Sequence, residues 1–313
     1  MPDPDSHGLS AERSCEAKPA FSMDSAARMA ANVGAVPGQP EPRNRLRRAA
    51  GAAAPPEGSE PNEVGSVGAP TFWPYPFWIA HRGAGKLAPE NTLAAFRLGA
   101  RHGYRMFECD VKLSADGVPF LLHDATLERT TSGHGVAGKQ LWQALARLDA
   151  GGWHSRGYAG EPLLTLENAA RFCRANGHAL NIEIKPTPGT EHHTGEVVAA
   201  LATRLWEGAA TVPLLTSFSP DALRGAGESA PALPRGLLLD RLEAGWLQTA
   251  LALGCVAVVG NHALWDSASV AQVHDAGLRA LSYTVNDEAV ASRLLALGTD
   301  GIITDRVDLF SPA

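Results

Sequence analysis

Glu108 and Asp110 stand two residues apart in the run Met106-Phe107-Glu108-Cys109-Asp110-Val111-Lys112, whose composition is that of a β-strand. Side chains two apart on a strand share a face, with backbone positions about 6.6 Å apart. The two carboxylates therefore converge, while Cys109 points the other way and reads as packing. Carboxylates brought to about 4 Å repel by roughly 4 kcal/mol at an effective dielectric of 20, and a bound cation turns that cost into attraction. Glu183, inside the apolar run Asn181-Ile182-Glu183-Ile184-Lys185, offers a third oxygen ligand. Three carboxylates suit Mg²⁺ or Ca²⁺ better than Zn²⁺. Pairing with Lys112, Lys185 or Arg82 would explain any one of the acids more easily than all three.

His81 and His123 are the acid–base candidates, because an imidazole with an unperturbed pKa near 6.5 exchanges protons at neutral pH. Each is followed by a polar residue, as His81-Arg82 and His123-Asp124. One histidine at a strand end is more often structural, but two flanking an acid cluster favour a function. Arg82 and Lys185 would neutralise an anionic substrate, and the Arg82 guanidinium can grip two phosphate oxygens at once. Either cation could instead balance the carboxylates. Together these groups point to metal-dependent acid–base chemistry on an anionic, phosphate-bearing substrate. His134 and the pair His192-His193 read as solvated; Trp153 and Phe218 suit packing at least as well as pocket lining.

Such groups need a scaffold that gathers strand ends. From Trp78 onward, short β-rich runs alternate with helical stretches, the pattern of an α/β fold with a parallel sheet. The predicted strands are Trp78–His81, Met106–Lys112, Ala179–Ile184, Leu214–Ser217, Gly236–Asp240, Cys255–Val259, Ala280–Val285 and Gly301–Thr304. Helices are predicted over Asn91–His102, Glu191–Trp206, Pro220–Gly225, Glu243–Leu253, Ser267–Ala276 and Asp287–Leu297. Several stop at a glycine (Gly103, Gly254, Gly277, Gly298), as helix C-termini often do. This alternation fits a TIM (β/α)8 barrel; a doubly wound open sheet ranks second, since no dinucleotide fingerprint follows the first strand. Barrel enzymes place catalytic groups at the C-terminal ends of strands, and those ends carry the acids, histidines and cations named above, with Asn286 after the seventh strand.

One run breaks the alternation. Val118–His123 follows the second strand after only Leu113-Ser114-Ala115-Asp116-Gly117, too short for a parallel crossover, and Asp-Gly is a strong hairpin signal. The second strand is expected to overrun the barrel rim, turn at Asp116-Gly117 and return as a small insertion, bringing His123 close to Asp110.

The 313 residues carry a net charge of -6, which argues against nucleic acid as the main partner. The 4 cysteines (Cys15, Cys109, Cys173, Cys255) form no CxxC pair, so a reducing, cytoplasmic setting is expected. No apolar run reaches the roughly 20 residues that span a bilayer, so stable membrane insertion is not expected. The first 75 residues hold half of the 22 prolines, with Ala, Gly, Ser and Glu and no sustained apolar period. Residues 1–75 therefore read as a disordered N-terminal extension, or as a translation start placed too far upstream, and residues 76–313 as a single domain. The basic cluster Arg43-Asn44-Arg45-Leu46-Arg47-Arg48 faintly resembles an export signal, but the apolar stretch after it is short and soon meets Pro55-Pro56.

Taken in order, His81-Arg82-Gly83, Ala88-Pro89-Glu90-Asn91-Thr92, Glu108-Cys109-Asp110-Val111, Asp116-Gly117, His123-Asp124, Leu127-Glu128-Arg129-Thr130-Thr131, Glu183-Ile184-Lys185, Tyr283-Thr284-Val285-Asn286 and Gly301-Ile302-Ile303-Thr304-Asp305 resemble the glycerophosphodiester phosphodiesterase family. The likeness spans Trp78 to Leu309 and is strongest to compact bacterial cytosolic members. It implies a TIM barrel that hydrolyses small glycerophosphodiesters to glycerol 3-phosphate and an alcohol. It also implies metal ligands at Glu108, Asp110 and Glu183, a histidine pair at His81 and His123, and substrate contacts from Arg82, Lys185, Tyr283 and Asn286. Asn91 is expected to cap the next helix, with Glu90 either structural or supporting a residue of the site. Tyr283 stands where the family commonly has tryptophan, which implies an altered shape at the glycerol end. A lysophospholipase D or phospholipase C-like enzyme of the same barrel class is the nearest rival, and a non-catalytic phosphodiester binder a more distant one.

Overall fold

Short aliphatic runs that alternate with amphipathic helices can bury both faces of a parallel sheet only if the helices pack outside it. In the structure, a computed structural model that describes residues 73–310 and 312, the strands are β1 Trp78–Ala80, β2 Met106–Leu113, β3 Pro119–Leu121, β4 Ala179–Ile184, β5 Leu214–Ser217, β6 Arg235–Leu239, β7 Ala257–Asn261, β8 Arg279–Tyr283 and β9 Gly301–Thr304. The helices are α1 Leu93–Arg101, α2 Trp142–Leu145, α3 Leu166–Ala175, α4 Glu191–Leu205, α5 Pro220–Ser229, α6 Trp246–Ala252, α7 Ser267–Asp275 and α8 Glu288–Leu297. All described residues belong to the unit Gly65–Ala313. Most of the extension expected over residues 1–75, with its basic cluster, lies outside the described residues.

The parallel strands run in the order β1-β9-β8-β7-β6-β5-β4-β2, and β1 also pairs with β2, so the sheet closes into the expected TIM barrel. β3 is the extra strand. It pairs with β2, antiparallel, in the register Val111↔Leu121, Lys112↔Phe120 and Leu113↔Pro119, and Phe120 also bridges Thr165 on its other side. Gly117 makes the turn at φ 79°, and the amide of Leu122 donates to the carbonyl of Asp110 at 3.0 Å, which returns His123 to the rim. Predicted and observed strand ends differ by one or two residues at β6, β7 and β8, where burial on both faces removes the alternation that would mark a boundary.

Sequence reading named no helix between Lys112 and Ala179, yet α3 lies there, capped by Thr165 and burying Leu166, Ala169, Ala170 and Cys173. Those positions follow the i, i+3, i+4, i+7 pattern, so the signal was present. The stretch from β3 to α3 carries its own small core of Phe120, Leu122, Leu127, Ala137, Leu145, Ala150 and Leu163. No helix among the described residues is long and apolar enough to cross a membrane.

Inside the barrel, Ile79, Met106, Ala179, Leu214, Leu281 and Ile303 fill the space with apolar side chains. Strand period two places Glu108, Asp110 and Lys112 on the same stripe as Met106, and Asn181 and Glu183 on the stripe of Ala179. Each inward stripe is thus apolar at its N-terminal end and charged toward its C-terminal end. The outward residues Phe107, Cys109 and Val111 pack with the helices, as the reading of Cys109 expected.

Two glycines let α4 and α5 approach backbone to backbone. A Cβ on Gly195 would lie 2.0 Å from the carbonyl oxygen of Ala222, and one on Gly225 would lie 2.1 Å from that of His192. Gly225→Ala must push the helices apart and is expected to cost about 1–3 kcal/mol by urea unfolding. An unchanged midpoint would show that the helix pair tolerates the added carbon.

Candidate active site

The inward stripes of β2 and β4 meet at the C-terminal rim. Their register sets Asp110 beside Glu183 and Glu108 beside Asn181. Each of Glu108, Asp110 and Glu183 offers a carboxylate oxygen, and these atoms all lie within 4.8 Å of one another. Burial pushes Glu108 well above the usual carboxylate range, and the charges of Asp110 and Glu183 add to that. Glu183 is pushed up to about 7 by burial and by Asp110, with Lys185 opposing. Burial would also raise Asp110, but Arg82, Lys185 and His123 overcome it and hold this carboxyl far below its usual value. Glu108 Oε1 is buried without a hydrogen-bond partner, and Asp110 Oδ1 makes no hydrogen bond although the Lys185 ammonium stands 3.3 Å from it. Orphaned anionic oxygens in an all-oxygen donor set fit a hard divalent cation.

Arg82 and Asn91 are the non-glycine residues with left-handed backbones among the described residues, at φ 50° and 61°. Such strain costs of order 1–3 kcal/mol each and persists only where surrounding contacts impose it. Here the Arg82 amide donates to Glu108 Oε2 at 3.0 Å, and the Asn91 amide donates to the Arg82 carbonyl at 3.0 Å. Asn91 also donates from Nδ2 to Asp110 Oδ2 at 2.8 Å and accepts from the Asp110 amide at 3.1 Å. Its expected role as helix cap is therefore corrected: Thr92 caps α1, and Asn91 orients Asp110. The Arg82 side chain reaches Asp110 at 3.2 Å and Glu90 at 2.8 Å.

The two histidines share a design. Directly after β1, His81 Nδ1 lies 2.7 Å from Asp305 Oδ1, and its Nε2 faces Glu108 Oε2 at 3.8 Å. After β3, His123 Nδ1 lies 2.7 Å from Asp124 Oδ1. An ionised carboxylate only accepts, so in the neutral ring the proton sits on Nδ1 and Nε2 keeps its lone pair. Burial lowers the His123 pKa, partly offset by Asp110. Burial would raise Asp305, but hydrogen bonds from His81 and Asn286 keep it down at about 2. Asn286 does not line the central cavity: its Nδ2 donates to Asp305 Oδ2 at 2.9 Å and its Oδ1 accepts from the Asp305 amide at 2.9 Å. It holds the partner of His81.

Arg129 ties the two halves together. It donates to Glu90 at 2.8 Å through both Nη1 and Nη2, and to Asp124 at 2.6 and 2.9 Å. Glu90 thereby joins Arg129 to Arg82, and Asp124 joins it to His123. Sequence reading gives Arg129, Asp124 and Asp305 no role; the usable signal is an acid directly following His123 or directly following the last strand.

A central cavity of about 150 Å³ opens between these groups, lined by both histidines, Arg82, Glu108, Glu183 and Lys185 and closed on one side by Phe218, Leu238, Tyr283 and Ile303. Lys185 Nζ donates to Glu183 Oε1 at 2.6 Å, stands 3.3 Å from Asp110 Oδ1, and lies 5.6 Å from the Phe218 ring centre. Tyr283 presents its ring edge-on to Phe218 at 5.8 Å, with its hydroxyl tied to the Leu239 carbonyl at 2.9 Å. Trp153 lines a neighbouring cavity; His134 and His193 are exposed, and His192 pairs with Glu228 at 3.0 Å. A larger opening at the N-terminal side of the strands, lined by Arg105, His178 and Trp206, contains no carboxylate.

Residues 81–309 match the profile described as the glycerophosphoryl diester phosphodiesterase family. A glycerophosphodiester phosphodiesterase of Caldanaerobacter subterraneus subsp. tengcongensis is 32% identical over 232 residues, 72% of this chain and 93% of the relative. Among solved structures, a phosphodiesterase of Oleispira antarctica in complex with the product sn-glycerol-3-phosphate superposes with TM-score 0.69 at 33% identity, covering 74% of this chain and 93% of the other. A glycerophosphodiester phosphodiesterase of Agrobacterium tumefaciens gives TM-score 0.66 at 31% identity, covering 76% and 100%.

Proposed function

This chain belongs to the glycerophosphoryl diester phosphodiesterase family, and from that premise we propose that it hydrolyses soluble glycerophosphodiesters to glycerol 3-phosphate and an alcohol, using a divalent cation and two histidines. One arrangement carries the reading: each histidine is fixed through Nδ1 by its own carboxylate, 2.7 Å away, with both rings at the rim of a three-carboxylate cluster. The Oleispira antarctica relative, solved with sn-glycerol-3-phosphate, supports a glycerol phosphate as product.

Glu108, Asp110 and Glu183 would hold the cation, Mg²⁺ or Ca²⁺ by their oxygen chemistry, and its contribution when bound is Lewis-acid stabilisation of a phosphate oxygen. Arg82 and Lys185 take up the remaining phosphate charge, positioned by Glu90, Asp110 and Glu183. One histidine removes a proton at Nε2 from the attacking hydroxyl and the other delivers a proton to the departing oxygen. Water as nucleophile gives glycerol 3-phosphate directly, whereas the substrate's own glycerol hydroxyl gives a cyclic phosphate that a water then opens, with the two histidines exchanging roles. Asp305 and Asp124 fix the tautomers and stabilise the imidazolium that forms. Phe218 and Tyr283 offer an apolar wall for the carbon skeleton of glycerol. The buried free thiols Cys109, Cys173 and Cys255 support a reducing cytoplasmic setting.

The test is release of glycerol 3-phosphate from glycerophosphocholine and glycerophosphoethanolamine, with Mg²⁺ or Ca²⁺ added, beside the matching lysolipids. Turnover of the deacylated diesters above the lysolipids is expected. A preference for lysolipids would make the enzyme a lysophospholipase D, and binding without turnover would make it a phosphodiester binder.

A further inference from the structure

A phosphodiester has two arms, and the central cavity has room for little more than the phosphate and one of them. Its 150 Å³ falls short of the roughly 300 Å³ that small-molecule sites commonly reach. Two cavities of about 420 Å³ adjoin it. One shares Phe218 and Leu238 with the centre and is walled by Leu237, Leu239 and Trp246, with Asp240 and Glu243 each 3.5 Å from Arg241 in its lining. The other shares His81 and Arg82 with the centre and is walled by Lys86, Arg129, Trp153 and His154.

A departing alcohol oxygen must lie beside both the phosphorus and a proton donor. Only the second of these cavities shares an acid–base histidine with the centre, so with His81 as the proton donor the leaving arm falls there. Its charges are unevenly spent. Glu90 is occupied by Arg82 and Arg129, and Asp305 by His81 and Asn286. The side chain of Lys86 is exposed, and its ammonium has no hydrogen-bond or ion-pair partner among the described residues, although its charge helps keep Asp305 ionised. It is held in place by its backbone: a Cβ on the preceding Gly85, at φ +56°, would lie 2.2 Å from the Asp305 backbone, and the Lys86 carbonyl accepts from His154 Nε2 at 3.1 Å. The His154 bond also carries the neighbouring Trp153, whose indole is 41% exposed and donates to the Ala150 carbonyl at 2.9 Å.

We infer that this cavity is the leaving-alcohol subsite, and that Lys86 makes it select alcohols bearing negative charge over cationic ones, with Trp153 covering the carbon skeleton. The inference rests on the phosphodiesterase reading and adds the substrate class to it. An unpaired ammonium attracts an anionic group and repels a quaternary ammonium, and rejection of the wrong charge contributes as much to specificity as attraction of the right one.

Three diesters test it: 1,3-bis(glycerophospho)glycerol, whose leaving arm is anionic, glycerophosphoglycerol, whose arm is neutral, and glycerophosphocholine, whose arm is cationic. For the wild-type chain, kcat/KM is expected to fall in that order. Lys86→Glu should move the anionic-to-cationic ratio toward choline by roughly five- to fifty-fold, the range for a partly exposed charge, while Lys86→Arg keeps it. Melting temperatures check that each variant is folded. A ratio unchanged in Lys86→Glu overturns the assignment, as does a ratio that moves with Glu243→Lys instead, which would put the alcohol in the other cavity. Wild-type protein that turns over none of the three diesters would overturn the phosphodiesterase reading itself, and this subsite with it.

Discussion

His81→Ala and His123→Ala are each expected to slow glycerol 3-phosphate release by roughly 10²–10⁴-fold, the range for loss of a positioned acid or base. The loss should appear mainly in kcat, because the rings serve the proton transfers while Arg82 and Lys185 hold the phosphate. Both rings are tied at 2.7 Å to carboxylates, so their orientation is set before substrate arrives. The double variant should fall short of the product of the two single losses, since an acid and a base serving one displacement act as a unit. Stopped assays with glycerophosphocholine, on variants whose melting temperature is unchanged, provide the measurement. Near-wild-type turnover in both single variants would remove the histidines from the mechanism.

Stripping divalent cations should abolish turnover, and Mg²⁺ or Ca²⁺ should restore it. The physical case is the carboxylate cluster: Glu108 and Asp110 are almost wholly buried, and each leaves an oxygen without a hydrogen-bond partner. Lys185 and Arg82 balance part of the charge but leave Glu108 strongly disfavoured as an anion. A cation that binds the folded state alone also stabilises it, by about 2.7 kcal/mol at a hundredfold excess over Kd. Addition of Mg²⁺ or Ca²⁺ to the metal-free protein should therefore raise the melting temperature, and Glu183→Gln should shrink that rise without any assay of activity. Full activity after verified metal removal would exclude the cation from the reaction.

Much of this was legible from residue order. Glu108 and Asp110 had to share a face because strand side chains alternate, and the Asp116-Gly117 turn had to bring His123 back toward Asp110 because no parallel crossover fits so short a gap. Strand and helix alternation required a parallel sheet, and the barrel follows from its closure through the β1–β2 pairing. Boundaries at β6 to β8 were blurred for the same reason that those strands are stable: both faces are buried, so period two is lost. The helix α3 was overlooked despite a clean apolar pattern, within a stretch dominated by turn-forming residues.

What the sequence by itself determined is the inventory of groups and their local geometry: which acids converge, which histidines flank them, which fold carries them. Tertiary structure alone decided how those groups are held. His81 is 224 residues from Asp305, and the two meet because β1 pairs with β9 as the barrel closes. Asn286, expected at the substrate, secures Asp305 through both ends of its amide; Asn91, expected as a helix cap, instead orients Asp110 from a left-handed backbone. Arg129 links Glu90 and Asp124 across a loop that has no period to read. Periodicity reports which face a side chain occupies, a local property of φ and ψ. Partnership between loops depends on where barrel closure delivers the strand ends, and that is set by the packing of the whole chain.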